Sequence, residues 1–244
     1  MGFEIFDELA ILQKSLNLVF IIISILIGIL IIRKFFQYKM PVFIIVGLAW
    51  VFMSSSWWSI AINFLSIGFF NLELPSFLYL FIERGFIMLG LLFWLLSYAE
   101  LAVVKRKKEL QYFAVIFCSI IEIIIILILI INPSLIGSQI PSKPYEYSHT
   151  LFDVILLLGT ISIVLITGII FSLQSIQSND LKIKWKGRFL LVSFISFTLG
   201  AILNGLLHIL IPMNAVSIII IRVILISSAI EYYLGFFLPD RFVK

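Results

Sequence analysis

The sequence predicts an all-α, polytopic membrane protein: a seven-transmembrane-helix bundle with its N-terminus outside and its C-terminus in the cytoplasm. Three observations predict it. Of the 244 residues, 62% are hydrophobic and only 12% are charged, and mean hydropathy is +1.21. A soluble domain is about half apolar and about a quarter charged, so this chain could not cover a water-facing surface. The apolar residues also fall into seven runs, each able to cross a hydrocarbon core that needs about 20 of them. Finally, Lys and Arg gather in alternate connections. A soluble enzyme, a nucleic-acid binder and a disordered chain are thereby excluded. The one cysteine, Cys118, excludes an internal disulfide framework.

The runs, broken by charge or turn residues, predict helices over 15–33, 41–68, 75–104, 110–132, 149–177, 186–211 and 215–238. The first has an acidic flank (Glu4, Asp7, Glu8), is too long and lacks an A-x-A site, which separates it from a cleaved signal peptide. The second and third open at Pro41 and Pro75, the fourth stops before Pro133, and the fifth follows Pro141 and Pro144. The sixth and seventh stop before Pro212 and Pro239, so none of the seven prolines obliges a helix to kink. One set of connections holds thirteen Lys and Arg residues, including the run Lys105–Lys108, against Lys14 and Lys143 in the other set. That bias sets the predicted orientation. The loops are too short for a second domain, so 1–244 reads as one transmembrane unit in the cell membrane. The longest connection, 132–148, is proline-stiffened and reads equally as a lid over the outer end or as a spacer.

Function is sought in the charges left inside the spans, because each is costly against lipid and should face the bundle. Rise along the helices at ~1.5 Å per residue puts Glu83, Asp153, His208 and Arg222 in one outer third, with Asn204 a turn deeper than His208. Trp57, Trp58 and Asn63 of the second span fall at similar height. Ser196, Gly200, Asn204 and His208 recur every four residues as a stripe suited to helix contact. Glu83, Asp153, Asn204, His208, Arg222, Trp57 and Trp58 are therefore the candidate ligand site. The alternative is that Glu83–Arg222 and Asp153–Arg84 or Asp153–His208 pairs clamp helix register. Glu122, near the middle of the fourth span, is either a proton site or a carboxyl hydrogen-bonded to Ser54, Ser55 or Ser56. Glu100 and Glu231 lie at the inner end, as salt-bridge partners of the basic loops or as a conformational latch.

The last span lacks the lysine that a retinal Schiff base needs, and no G-x-S-x-G, H-E-x-x-H or phosphate-binding glycine loop occurs. His149, Asp153 and His208 could form a zinc site, but no cofactor or metal is expected, and enzyme is the least supported class. The chain closes on Gly235-Phe236 and Pro239 followed by charged and aromatic residues. This G-F-x-x-P ending, with the N-out seven-helix layout, resembles the seven-helix sensor region that precedes histidine kinase and related output domains in prokaryotes. The resemblance implies a receptor-like sensor for a small molecule or lipid. With no output domain following, it implies a separate cytoplasmic or membrane signalling partner besides the bilayer itself. A transporter or channel component using intramembrane carboxylates, or a structural subunit of a membrane complex, is the alternative.

Overall fold

The computed structural model describes residues 2–102, 105–141, 143–210 and 214–239, without the side chains of 144 and 206–210. Among the described residues seven helical stretches are long and apolar enough to cross a membrane. The first is α1 (Glu8–Tyr38), which starts at Glu8 rather than at 15 because the Asp7 carboxylate accepts the Ala10 N–H and caps it. Lys14 consequently sits inside a helix, only 6% exposed, and not in a loop.

The second and third stretches are each interrupted without a proline. In the second, α2 (Val42–Met53) passes through a 3-10 turn, Ser54–Trp57, into α3 (Trp58–Phe70). The Ser54 hydroxyl donates to the Val51 carbonyl at 2.7 Å, offering the backbone a partner outside the α ladder. In the third, α4 (Ser76–Arg84) stops at Gly85 and α5 (Ile87–Leu101) resumes. The interruptions pack together: the Phe86 ring stacks on Phe52 at 6.1 Å and lies 5.8 Å from Trp58. Nearby, α5 approaches α2 so closely that a Cβ on Gly90 would sit 2.8 Å from the Met53 nitrogen.

The remaining long helices are α6 (Lys107–Ile131), α7 (Leu151–Ile176), α8 (Leu181–Leu210) and α9 (Ala215–Phe236). Contacts run from α1 to α2, α2 to α5, α5 to α7, α7 to α8, α8 to α9 and α9 back to α1, closing a ring. Helix α6 packs outside it, against α5 and α4. The ring is filled by large side chains: Trp50, Trp94, Phe194 and Tyr232 are all at most 1% exposed. Tyr232 stacks on Trp50 at 4.3 Å and meets Phe194 edge-on at 6.0 Å.

Connection 132–148 carries secondary structure of its own. It holds an antiparallel hairpin, β1 (Gly137–Ile140) and β2 (Lys143–His149), with Gly137 opposite His149 and an irregular register after Gln139. The hairpin is clasped to one end of the bundle, hereafter the hairpin end. Tyr147 stacks on Tyr79 at 3.9 Å and donates its hydroxyl proton to Ser76 Oγ, while Tyr145 packs on Phe6 at 4.8 Å. The basic connections lie at the opposite end.

Candidate functional site

Two separate groups of buried charge stand at the hairpin end. The first is compact. Arg84, last residue of α4, donates Nε and Nη2 to Asp153 Oδ1 and Oδ2 at 2.5 and 2.7 Å, a bidentate pair across to α7. Asp153 is held there because Thr150 caps α7 and accepts the Asp153 N–H. Arg84 Nη1 also lies 3.3 Å from Glu83 Oε1. His149 at the end of β2 completes the group, with Nδ1 3.0 Å from Asp153 Oδ2 and Nε2 3.5 Å from Glu83 Oε1. Burial opposes its charged form, but the Glu83 and Asp153 carboxylates outweigh that and hold its pKa above the ordinary value. The hairpin is thus tied to α4 and α7 by an imidazole set between two acids. Of the pairs expected from the sequence, Asp153–Arg84 is formed. Glu83–Arg222 is not: Glu83 turns to Arg84 and His149, on elements remote from α9.

The second group is incomplete. Arg222 on α9 is 2% exposed, and its Nη2 donates to Asn204 Oδ1 of α8 at 2.8 Å. Among the described residues no carboxylate pairs with it, and its Nη1 has no hydrogen-bond partner. It borders a small cleft of about 10 Å³ between α1, α8 and α9, lined also by Gln13, Asn204, Ile218 and Ile221. Lys14, beside Gln13, is a second buried cation; it donates to the Tyr145 carbonyl at 3.3 Å and lies over the Phe6 and Tyr145 rings. One turn along α1, buried Asn17 donates to the Trp57 carbonyl at 3.1 Å.

No protein-family model and no curated protein matches the chain.

The other expected site residues disperse. Trp57 is buried between Phe20 and Phe197, at 5.3 and 6.0 Å. Trp58 points elsewhere, its Nε1 donating to Ser54 Oγ at 3.2 Å and its ring near Phe52. Neither tryptophan lines the Arg222 cleft. The side chain of His208, and with it the expected His149–Asp153–His208 zinc set and the outer end of the Asn204 stripe, lies outside the described residues. Among those described, no three His, Cys, Asp or Glu side chains gather as a metal site. Asn63 is spent in the α3–α4 connection, accepting the Leu74 N–H at 2.9 Å.

Glu122 does not meet Ser54, Ser55 or Ser56. It lines a groove of about 260 Å³ between α5 and α6 with Met88, Leu92, Cys118 and Ser119, and its Oε2 has no partner among the described residues. The reason is topological: α6 lies outside the ring, away from the 3-10 turn. Glu100 accepts from Lys107 Nζ and Gln111 Nε2 at 2.5 and 2.8 Å, tying α5 to α6 at the basic end. Glu231 lies against Ser196 and Ser227 on the α8–α9 side, so the two acids share no joint latch.

Lys14, Gln13 and His149 were not among the ligand-site residues expected from the sequence. A signal existed for two of them: Gln13-Lys14 interrupts an apolar run just after a capping aspartate. Nothing in the sequence turned His149 towards Glu83.

Proposed function

We propose that this protein is a receptor-like seven-helix membrane sensor of the plasma membrane. Its N-terminus and hairpin face outward, it binds a small molecule or lipid in its outer half, and it signals through a separate cytoplasmic or membrane partner. The observation that carries the reading is Arg222, a buried guanidinium with no counter-charge among the described residues and a free Nη1 beside a small cleft. A charge in a membrane interior is expensive and is retained where it serves a ligand or a switch. The orientation rests on Arg33, Lys34, Lys39, Lys105–Lys108 and Lys182–Arg188, all at the end opposite the hairpin.

Helix α9 supplies a route inward. From Arg222 it runs to Tyr232, which stacks on Trp50 and donates its hydroxyl proton to the Val46 carbonyl at 3.4 Å. A shift of ~1–2 Å in one such helix is the usual size of a transmitted change. It would reach α2 through Tyr232 and the basic connections through the packing of α8 on α9. The test is hydrogen–deuterium exchange of the full chain in lipid nanodiscs, wild type against Arg222→Gln and Asn204→Leu. Altered exchange is expected at 105–109 and 177–188, the basic-end connections and the first turns of α6 and α8 that follow them. Unchanged exchange there in both variants removes the coupling on which a sensor depends.

A further inference from the structure

The cleft between α1, α8 and α9 presents donors and no acid. Arg222 contributes an unpartnered Nη1, and Asn204, whose carbonyl oxygen is engaged by Nη2, keeps its amide NH2 as a donor. Gln13 adds a second amide to the wall. Lys14 beside it is the other buried cation at this end, close enough to Arg222 for the two charges to repel. Its ammonium meets a carbonyl and two aromatic faces, and the Glu146 and Asp7 carboxylates are near enough to attract it. The buried acids of the hairpin end are consumed elsewhere: Asp153 and Glu83 face Arg84 and His149. The buried acids and Arg222 are thus sorted into separate groups, and Arg222 is the one charged residue among the described lining of the cleft.

A guanidinium is always charged and offers its N–H groups in a planar fork, so what completes it is an oxyanion able to accept along one edge. The rest of the cleft is apolar. Ile218 and Ile221 line it, and Ile219, Ile220 and Val223 beside them on α9 are 44%, 52% and 59% exposed on the bundle's outer surface. A planar two-oxygen head at Arg222 leaves an alkyl chain running along that surface, in lipid. Resting on the reading of the outer half as a ligand site, we propose that the Arg222 cleft binds a carboxylate. The source is either an amphiphile such as a long-chain fatty acid, its tail on α9, or a short soluble carboxylate.

The test uses the full chain in phosphatidylcholine nanodiscs, followed by thermal unfolding and intrinsic tryptophan fluorescence. The probes are sodium oleate, methyl oleate and sodium acetate, on wild type, Arg222→Gln, Arg222→Lys and Glu122→Gln. Oleate is expected to raise the Tm of wild type and Glu122→Gln saturably, as any ligand selective for the folded state does. Methyl oleate, which has the chain without the charge, is expected to leave it unchanged. Arg222→Gln should lose the response, and Arg222→Lys, a point charge in place of a fork, should need about tenfold more oleate. Without ligand, Arg222→Gln should melt at or above wild type, because the substitution removes a charge that nothing balances. Saturation by acetate at concentrations matching oleate supports the site with a soluble source, and a far weaker acetate response supports the membrane source. The proposal is overturned if neither carboxylate stabilises wild type, if methyl oleate matches oleate, or if Arg222→Gln responds as wild type does. Failure here with altered exchange in the basic connections overturns the carboxylate alone and leaves the sensor reading standing.

Discussion

Arg84 and Arg222 are buried alike, at 3% and 2% exposure, yet only Arg84 has carboxylates against it. The difference assigns them opposite roles. Removing one partner of a buried, hydrogen-bonded ion pair strands the other charge and costs about 3–5 kcal/mol. Asp153→Asn is therefore expected to destabilise the protein by about that amount, read as a fall in Tm in detergent or nanodiscs. The double substitution Arg84→Met with Asp153→Leu should recover most of the loss, since an apolar pair of similar volume needs no counter-charge. At this scale the sequence was informative about depth and silent about neighbours. Spacing along helices placed Glu83, Asp153 and Arg222 at one height. It could not say that α4 packs against α3, α6 and the hairpin while α9 sits between α8 and α1. Height restricts a partner to a layer; only the order of helices around the ring selects it.

The elements carry a second lesson, in spans two and three. Absence of interior proline was a sound reason to expect continuous helices, but proline is only one cause of interruption. The Ser54 hydroxyl competes for the Val51 carbonyl, and Gly85 ends α4 with its N–H on the Phe81 carbonyl at 2.8 Å. The interruptions bring α5 onto the backbone of α2 at Gly90, where an added Cβ would stand 2.8 Å from Met53 N and 2.9 Å from Phe52 C. Backbone atoms cannot rotate out of the way, so Gly90→Ala is expected to cost about 1–3 kcal/mol. Chemical or thermal unfolding of the variant beside wild type measures it. The hairpin was less legible than the helices. Pro141 and Pro144 suggested a stiff loop, whereas alternate Tyr145 and Tyr147 pack on Phe6 and Tyr79 and make β2 a fitted strand.

For the whole molecule, the hairpin and the bundle are joined through a titratable residue. The His149 imidazole is 29% exposed on its side chain and raised in pKa by Glu83 and Asp153 against the opposing effect of burial. A group whose folded pKa lies above its unfolded value of 6.5 contributes stability that is complete below 6.5 and lost as pH rises through the folded value. Wild type should therefore exceed His149→Gln in Tm most at about pH 5.5, with the gap narrowing as pH is raised from there into the alkaline range. A constant gap across that range would mean that the hairpin is held without the imidazolium. Composition and the seven apolar runs determined by themselves that the chain forms seven helices able to cross a membrane, because burial of backbone polar groups in hydrocarbon leaves few other solutions. They also confined the informative residues to a few charges within those runs. Which charges neutralise one another was decided only by tertiary structure. Ion pairing depends on a few ångströms across neighbouring helices, and linear spacing carries no such distance. That is why Arg84 is matched, and why Arg222, equally buried, is left among the described residues with a free edge beside a small cleft.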